Sequence, residues 1–397
     1  MTKLSAPSEH KHYQCVLLLK ILESSFRCSR MCSYGIISVN FTSSTKGDNL
    51  NSEIKVMSNR DPSIDTLRVT ACIFVIISHY GYIFSQTRLS FIPSFYGGVL
   101  GQVGVSLFFF ISGYLAFISL DRKNTIDYFL DKGVRILTPY IITYFFISLL
   151  LILLSYLNKE IINTVPLVSI MTTGGQYTRI IPVFFALDGI LNAHFSYDFL
   201  FLTGEWFIGC VIMLYVISPI VFHVMNTFTF KRNIFFLFVI TITTFPISNI
   251  SSSFLNFPFW FFACRLPEFM VGMLASNTKM KLQKNTTVIL SVVICILTVL
   301  LIGPNEFKTN IVNHQLSIIP LMCISIIIYK AALIINKKFN LYFFNSYAKC
   351  IYISMLIQHV VIYRLTSIIE INNASVFGYL FILLMVFFLT FYLSNLT

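Results

Sequence analysis

A chain of 397 residues that is 56% hydrophobic and only 11% charged has too little polar side chain to coat a soluble fold of its size. Its mean hydropathy of +0.79 marks a polytopic membrane protein. The net charge of +12 fits basic cytoplasmic loops and attraction to anionic lipid heads, so it supplies no argument for a nucleic-acid partner.

Residues 1–60 are polar, and their one apolar patch, Cys15 to Ile21, is too short to span. A secretory leader does not fit them. Cys28 and Cys32 with His10 and His12 match no compact zinc spacing, and no metal site is expected. Met57 opens a short lead into the first apolar run, so residues 1–60 are expected to be a disordered or mis-assigned extension before a transmembrane domain at 61–397.

Beyond that point the expected fold is all-α, a bundle of about ten transmembrane helices. The apolar runs lie near 64–86, 99–120, 136–157, 205–225, 233–249, 258–276, 286–302, 314–335, 345–368 and 376–395. Pro219, Pro246, Pro267 and Pro320 interrupt some of them. The stretch 180–192 is too short to cross and reads as an interfacial or re-entrant piece. With the N-terminus inside, cytoplasmic segments collect Lys55, Arg60, Arg122, Lys123, Lys132, Arg135, Lys231, Arg232, Lys279, Lys281, Lys284, Lys337 and Lys338, and the opposite side keeps only Arg88, Lys159, Arg179, Lys308 and Arg364. That asymmetry puts both termini in the cytoplasm.

Along these elements, polar residues recur where lipid would not tolerate them. The first run carries Arg68 and His79, eleven residues apart, hence on one helix face and separated by roughly 16 Å along the axis. An intramembrane arginine marks a functional site by default, and an imidazole supplies a base near neutral pH. The bland alternative is a snorkelling arginine and a histidine satisfied by a neighbouring helix. In the second run, Gly101, Gly104 and Gly113 permit close backbone approach, and Ser106 and Ser112 can bond across helices. The loop expected at 121–135 ends in Lys132 and Arg135, a cation pair suited to phosphate oxygens or else simply topogenic.

Glu205 and Trp206 open the fourth run, with Trp206 also readable as a belt aromatic. Arg265 and Glu268 lie three apart in the sixth and can pair with each other. His359 lies in the ninth, on a helix that Tyr347, Tyr352 and Gln358 make polar, and should face a cavity. The long external loop at 158–204 carries Asp188, His194 and Asp198, a candidate lid or acceptor platform. The six cysteines beyond residue 60 fall singly in helices and suggest no disulfide framework.

Taken in order, IDTLRVTACIFVIISH, GVSLFFFISGYL, KGVRILTPY, GEWFIG, RLPEFMVG and SYAKCIYISMLIQH resemble the membrane-bound acyltransferase-3 family, the bacterial O-acyltransferases of surface glycans. The specific element is the Arg-x10-His arrangement followed by the phenylalanine-rich helix. The resemblance implies that His79 is the essential histidine and that Arg68, Lys132 and Arg135 hold the phosphates of cytoplasmic acyl-CoA. A lysine stands at 132 where many relatives have arginine, which loses bidentate geometry there. Glu205, Trp206, Arg265, Glu268, Tyr347 and His359 would support substrate or structure, with Arg265 and His359 steadying an oxyanion.

The implied activity is transfer of an acyl group, acetyl above all, from acyl-CoA to a hydroxyl of a surface glycan or its lipid-linked precursor. The implied place is a bacterial inner membrane, with no permanently bound cofactor. The rival reading is a transporter or flippase of a glycan or lipid-linked intermediate, its pathway lined by the same charges. The two halves show no inverted repeat that would favour it. A structural scaffold for polysaccharide assembly is the third, and would leave Arg68 and His79 replaceable.

Overall fold

The computed structural model describes residues 61–155, 180–187, 191, 203, 205–254, 261–277, 285–309, 315–339, 347–369, 371 and 375–395. The expectations for residues 1–60 and for Asp188, His194 and Asp198 fall outside them.

The chain runs α1 (Pro62–Phe84), a short α2 (Phe91–Tyr96), α3 (Val99–Arg122), α4 (Thr125–Ser155), a short α5 (Ile180–Phe184), α6 (Glu205–Thr227), α7 (Phe230–Phe254), α8 (Phe262–Ser276), α9 (Asn285–Ile302), a short α10 (Pro304–Thr309), α11 (Ile318–Lys338), α12 (Ile351–Ile368) and α13 (Val376–Asn395). Among the described residues, eight helices are long and apolar enough to cross a membrane. Two further long helices, the 15-residue α8 and the 18-residue α12, pack among them. The protein is an all-α, multi-pass helical bundle.

Local chemistry sets the helix starts. Asp61 caps α1 by accepting the Ser63 N–H at 2.9 Å, and Pro62 occupies the first turn, where its missing N–H costs nothing. Asn124 accepts the Asp127 N–H at 2.8 Å and donates to the Asp127 carboxylate at 2.7 Å, a reciprocal cap that starts α4 three residues after α3 ends. This corrects the expected loop at 121–135. The cap begins the helix at Thr125 rather than near 136, and Lys132 and Arg135 lie on it. Pro139 sits inside the same helix without ending it.

The centre of the bundle is α3, which packs against α1, α6, α8 and α11. Its approach to α8 is backbone to backbone. A side chain at Gly113 would strike the Phe269 carbonyl of α8, and one at Gly272 would strike the Phe110 carbonyl of α3. Polar ties join other pairs: Tyr80 Oη donates to the Tyr379 carbonyl at 2.8 Å, Ser354 Oγ to Ser394 Oγ at 2.8 Å, and Asn336 Nδ2 to Thr66 Oγ1 at 2.9 Å. Each satisfies groups that lipid cannot, worth about 0.6–2 kcal/mol. Outward faces are apolar, as at Leu297, Leu300 and Leu301 of α9.

Candidate functional site

A cavity of about 630 Å³ opens between α1, α3, α4, α6 and α12. Arg68 and His79 both line it, as the eleven-residue spacing requires of two side chains on one face of α1. From α12 come Tyr352, Met355, Gln358 and His359, with Lys349 in the turn just before the helix. Phe108, Trp206 and Tyr215 add aromatic wall from α3 and α6. The cavity is therefore apolar along its flanks and polar at its two ends.

At the deep end His79 meets His359. Their ring centroids are 4.0 Å apart, with planes inclined by 58°. Gln358 is buried beside them; its Nε2 reaches only the Met355 sulfur, at 3.7 Å, and among the described residues no donor reaches its Oε1. Thr203, buried just before α6, also lines the cavity, as does Trp206. Tyr352 fixes α12 against α4 by donating to the Ile136 carbonyl at 2.8 Å. That carbonyl lies in the turn that Pro139 disturbs.

The other end is cationic, and two of its guanidinium groups are tied to carboxylates. Arg68 Nη1 bonds Asp65 Oδ1 at 2.8 Å, and Asp65 itself is buried. Arg135 Nε bonds Asp131 Oδ1 at 2.7 Å, while Lys123 takes the second oxygen of Asp131 at 3.0 Å. With its side chain 74% exposed, Arg135 stands at the mouth.

Lys132 departs from its expected partnership with Arg135. It is not among the lining side chains; its ammonium lies 5.0 Å from the Tyr215 ring centre and 5.7 Å from that of Tyr128, and donates to the Leu115 carbonyl at 3.5 Å. Three residues of helix leave about 60° between two side chains, enough to send one to the mouth and the other under an aromatic pair.

Arg265 and Glu268 are likewise absent from the lining. Arg265 Nη1 bonds both Glu268 oxygens at 3.2 and 3.3 Å, and its Nη2 donates to Gln102 Oε1 at 2.8 Å. Both side chains are fully buried at the contact of α8 with α3, and the guanidinium also lies over the Phe109 ring. The ion pair lies within α8, the guanidinium's bond to Gln102 ties that helix to α3, and the oxyanion role expected for Arg265 has no geometric support. Tyr347 packs edge-on to Phe391 of α13 rather than into the cavity. Glu205 begins α6, and its side chain lies outside the described residues.

Sequence reasoning missed three contributors. Asp65 was hidden because a carboxylate three residues before an arginine reads as a routine helix pair. Tyr215 sits in an uninterrupted apolar run. Lys349 resembles one more loop lysine until α12 is placed against α1.

Residues 61–395 match the model of a protein family described as an acyltransferase domain. No curated protein and no solved structure matches the chain.

Proposed function

We propose, from the premise that this chain belongs to the acyltransferase-3 family, that it moves an acyl group, most simply acetyl, from cytoplasmic acyl-CoA to a hydroxyl of a surface glycan or its lipid-linked precursor in a bacterial inner membrane. That it is a membrane acyltransferase follows from the family and the helical bundle; donor, acceptor and compartment are the proposal.

One observation carries it: a single cavity joins cations at one end to two facing imidazoles at the other. A phosphate-rich donor that ends in a long apolar arm and a thioester matches that polarity. Arg68 and Arg135 meet phosphate oxygens by charge-assisted hydrogen bonds, and the arm runs along Val75, Phe108, Ile111 and Met355.

At the deep end the acceptor oxygen attacks the thioester carbonyl carbon while neutral His79 removes the hydroxyl proton. The tetrahedral oxyanion collapses, the carbon–sulfur bond breaks, and the thiolate leaves with a proton. His359, in ring contact with His79, is placed to carry that proton or to steady the oxyanion. Gln358 offers Oε1 to a further acceptor hydroxyl. The acceptor enters past Thr203 and Trp206.

The test has two parts. Purified protein in vesicles should release free thiol from acetyl-CoA in the presence of acceptor, and the His79→Ala variant should not. Deletion of the gene should remove ester-linked acyl mass from one surface glycan; an unchanged glycan profile would reject the acceptor class.

A further inference from the structure

The contact between His79 and His359 fixes the register of α1 against α12, and that register has a consequence at the cavity's other end. Counting the ten long helices as crossings, α1 is the first and α12 the ninth, so the two run in the same direction. Arg68 precedes His79 by eleven residues, and Lys349 precedes His359 by ten. At about 1.5 Å per residue the two offsets are roughly 16 and 15 Å, so Lys349 lies near the depth of Arg68, on the wall that the neighbouring α12 contributes. Both side chains line the cavity.

Charge distinguishes Lys349 from its neighbours. Arg68 and Arg135 each have a carboxylate within ion-pair distance, whereas among the described residues none is within that distance of Lys349. Asp65 and Asp131 set against Arg68, Arg135, Lys123 and Lys349 leave the mouth with a surplus of positive charge. An anion of more than one charge suits such a place, and a lysine ammonium binds phosphate as a point charge without demanding planar geometry.

We propose that Lys349 completes a phosphate-binding belt at the inner mouth, extending the row of cations from Arg68 on α1 onto the α12 wall and taking phosphate groups of the acyl-CoA donor. The assignment rests on the donor reading above and adds to it a residue on a second wall. Phosphate chemistry is shared by the donor and by anionic lipid heads, and the experiment separates the two.

The full chain is placed in nanodiscs of neutral phosphatidylcholine, and CoA is titrated by calorimetry, with pantetheine as a phosphate-free control. Lys349→Gln should weaken CoA binding about tenfold while leaving pantetheine unaffected, and Lys349→Arg should restore most of the loss. Equal CoA affinity for wild type and Lys349→Gln overturns the assignment. So does a result in which Lys349→Gln keeps its CoA affinity but loses stabilisation by anionic phosphatidylglycerol, since Lys349 would then serve lipid. A wild type that binds no CoA in these discs fails the donor reading itself, and with it the belt.

Discussion

His79 and His359 come from helices at opposite ends of the domain, yet their imidazoles touch, with centroids 4.0 Å apart and planes inclined by 58°. A proton taken by one ring is within reach of the other, inside a cavity whose remaining wall is largely apolar. Acid–base chemistry in this bundle therefore concentrates at one point.

His79→Ala should lower kcat for acyl transfer by about a hundred to ten-thousand-fold, the usual contribution of a histidine base. Insertion should be unaffected, because the change removes a polar ring from an apolar helix. His359→Ala should cost less than His79→Ala, and the double variant little more than His79→Ala alone, since the two act as a unit. Thiol release from labelled acetyl-CoA measures all three. Full activity in His79→Ala would remove it from the chemistry.

Arg68→Ala and Arg135→Ala should raise the donor KM, by about tenfold each, with a smaller change in kcat. Arg68→Lys should rescue only in part, because an ammonium cannot reproduce the guanidinium fork toward Asp65 and phosphate together. Steady-state kinetics over a range of acetyl-CoA concentrations decide the matter, and a fall in kcat at constant KM would contradict phosphate binding.

Removing one partner of the buried pair in α8 should destabilise the protein severely. Arg265→Met or Glu268→Gln alone is expected to cost about 3–5 kcal/mol, while Arg265→Met with Glu268→Met recovers most of it. Thermal unfolding in detergent reads the difference. If Arg265→Met folds normally and only catalysis falls, the pair is not structural.

Gly113→Val and Gly272→Val should each push α3 from α8, since the added carbons meet the Phe269 and Phe110 carbonyls. A loss of at least about 1–3 kcal/mol is expected, with lower yield of folded protein. Gly133→Ala, whose added carbon meets open space, serves as the control and should be neutral or slightly stabilising. Wild-type melting temperatures for the two valine variants would show that the helices can part without penalty.

Sidedness can be tested by single cysteines at Lys123 and Asn192 in a background lacking the native ones. A membrane-impermeant maleimide added to intact cells should label the Asn192 site and spare the Lys123 site. The reverse pattern would invert the topology and place the cationic mouth away from cytoplasmic acyl-CoA.

What the sequence by itself determined was the class and the rhythm of the chain. Composition required a membrane bundle, and long apolar runs placed most of its helices to within a few residues, the start of α4 excepted, because burial in lipid demands both. Helical periodicity alone put Arg68 and His79 on one face. Ordered motifs pointed to the family that the match over residues 61–395 then showed. What only the tertiary structure decided was which polar residues meet. Lys132 and Arg265 carry the same charge as Arg68, and periodicity cannot tell an ammonium stacked under Tyr215, or a guanidinium closed on Glu268, from one that lines a cavity. The start of α4 turned on a two-residue cap, a local contest that apolar run length does not register. Lys349 acquires its place only through the contact of α12 with α1, because depth in the bundle is a relation between helices and no single helix contains it.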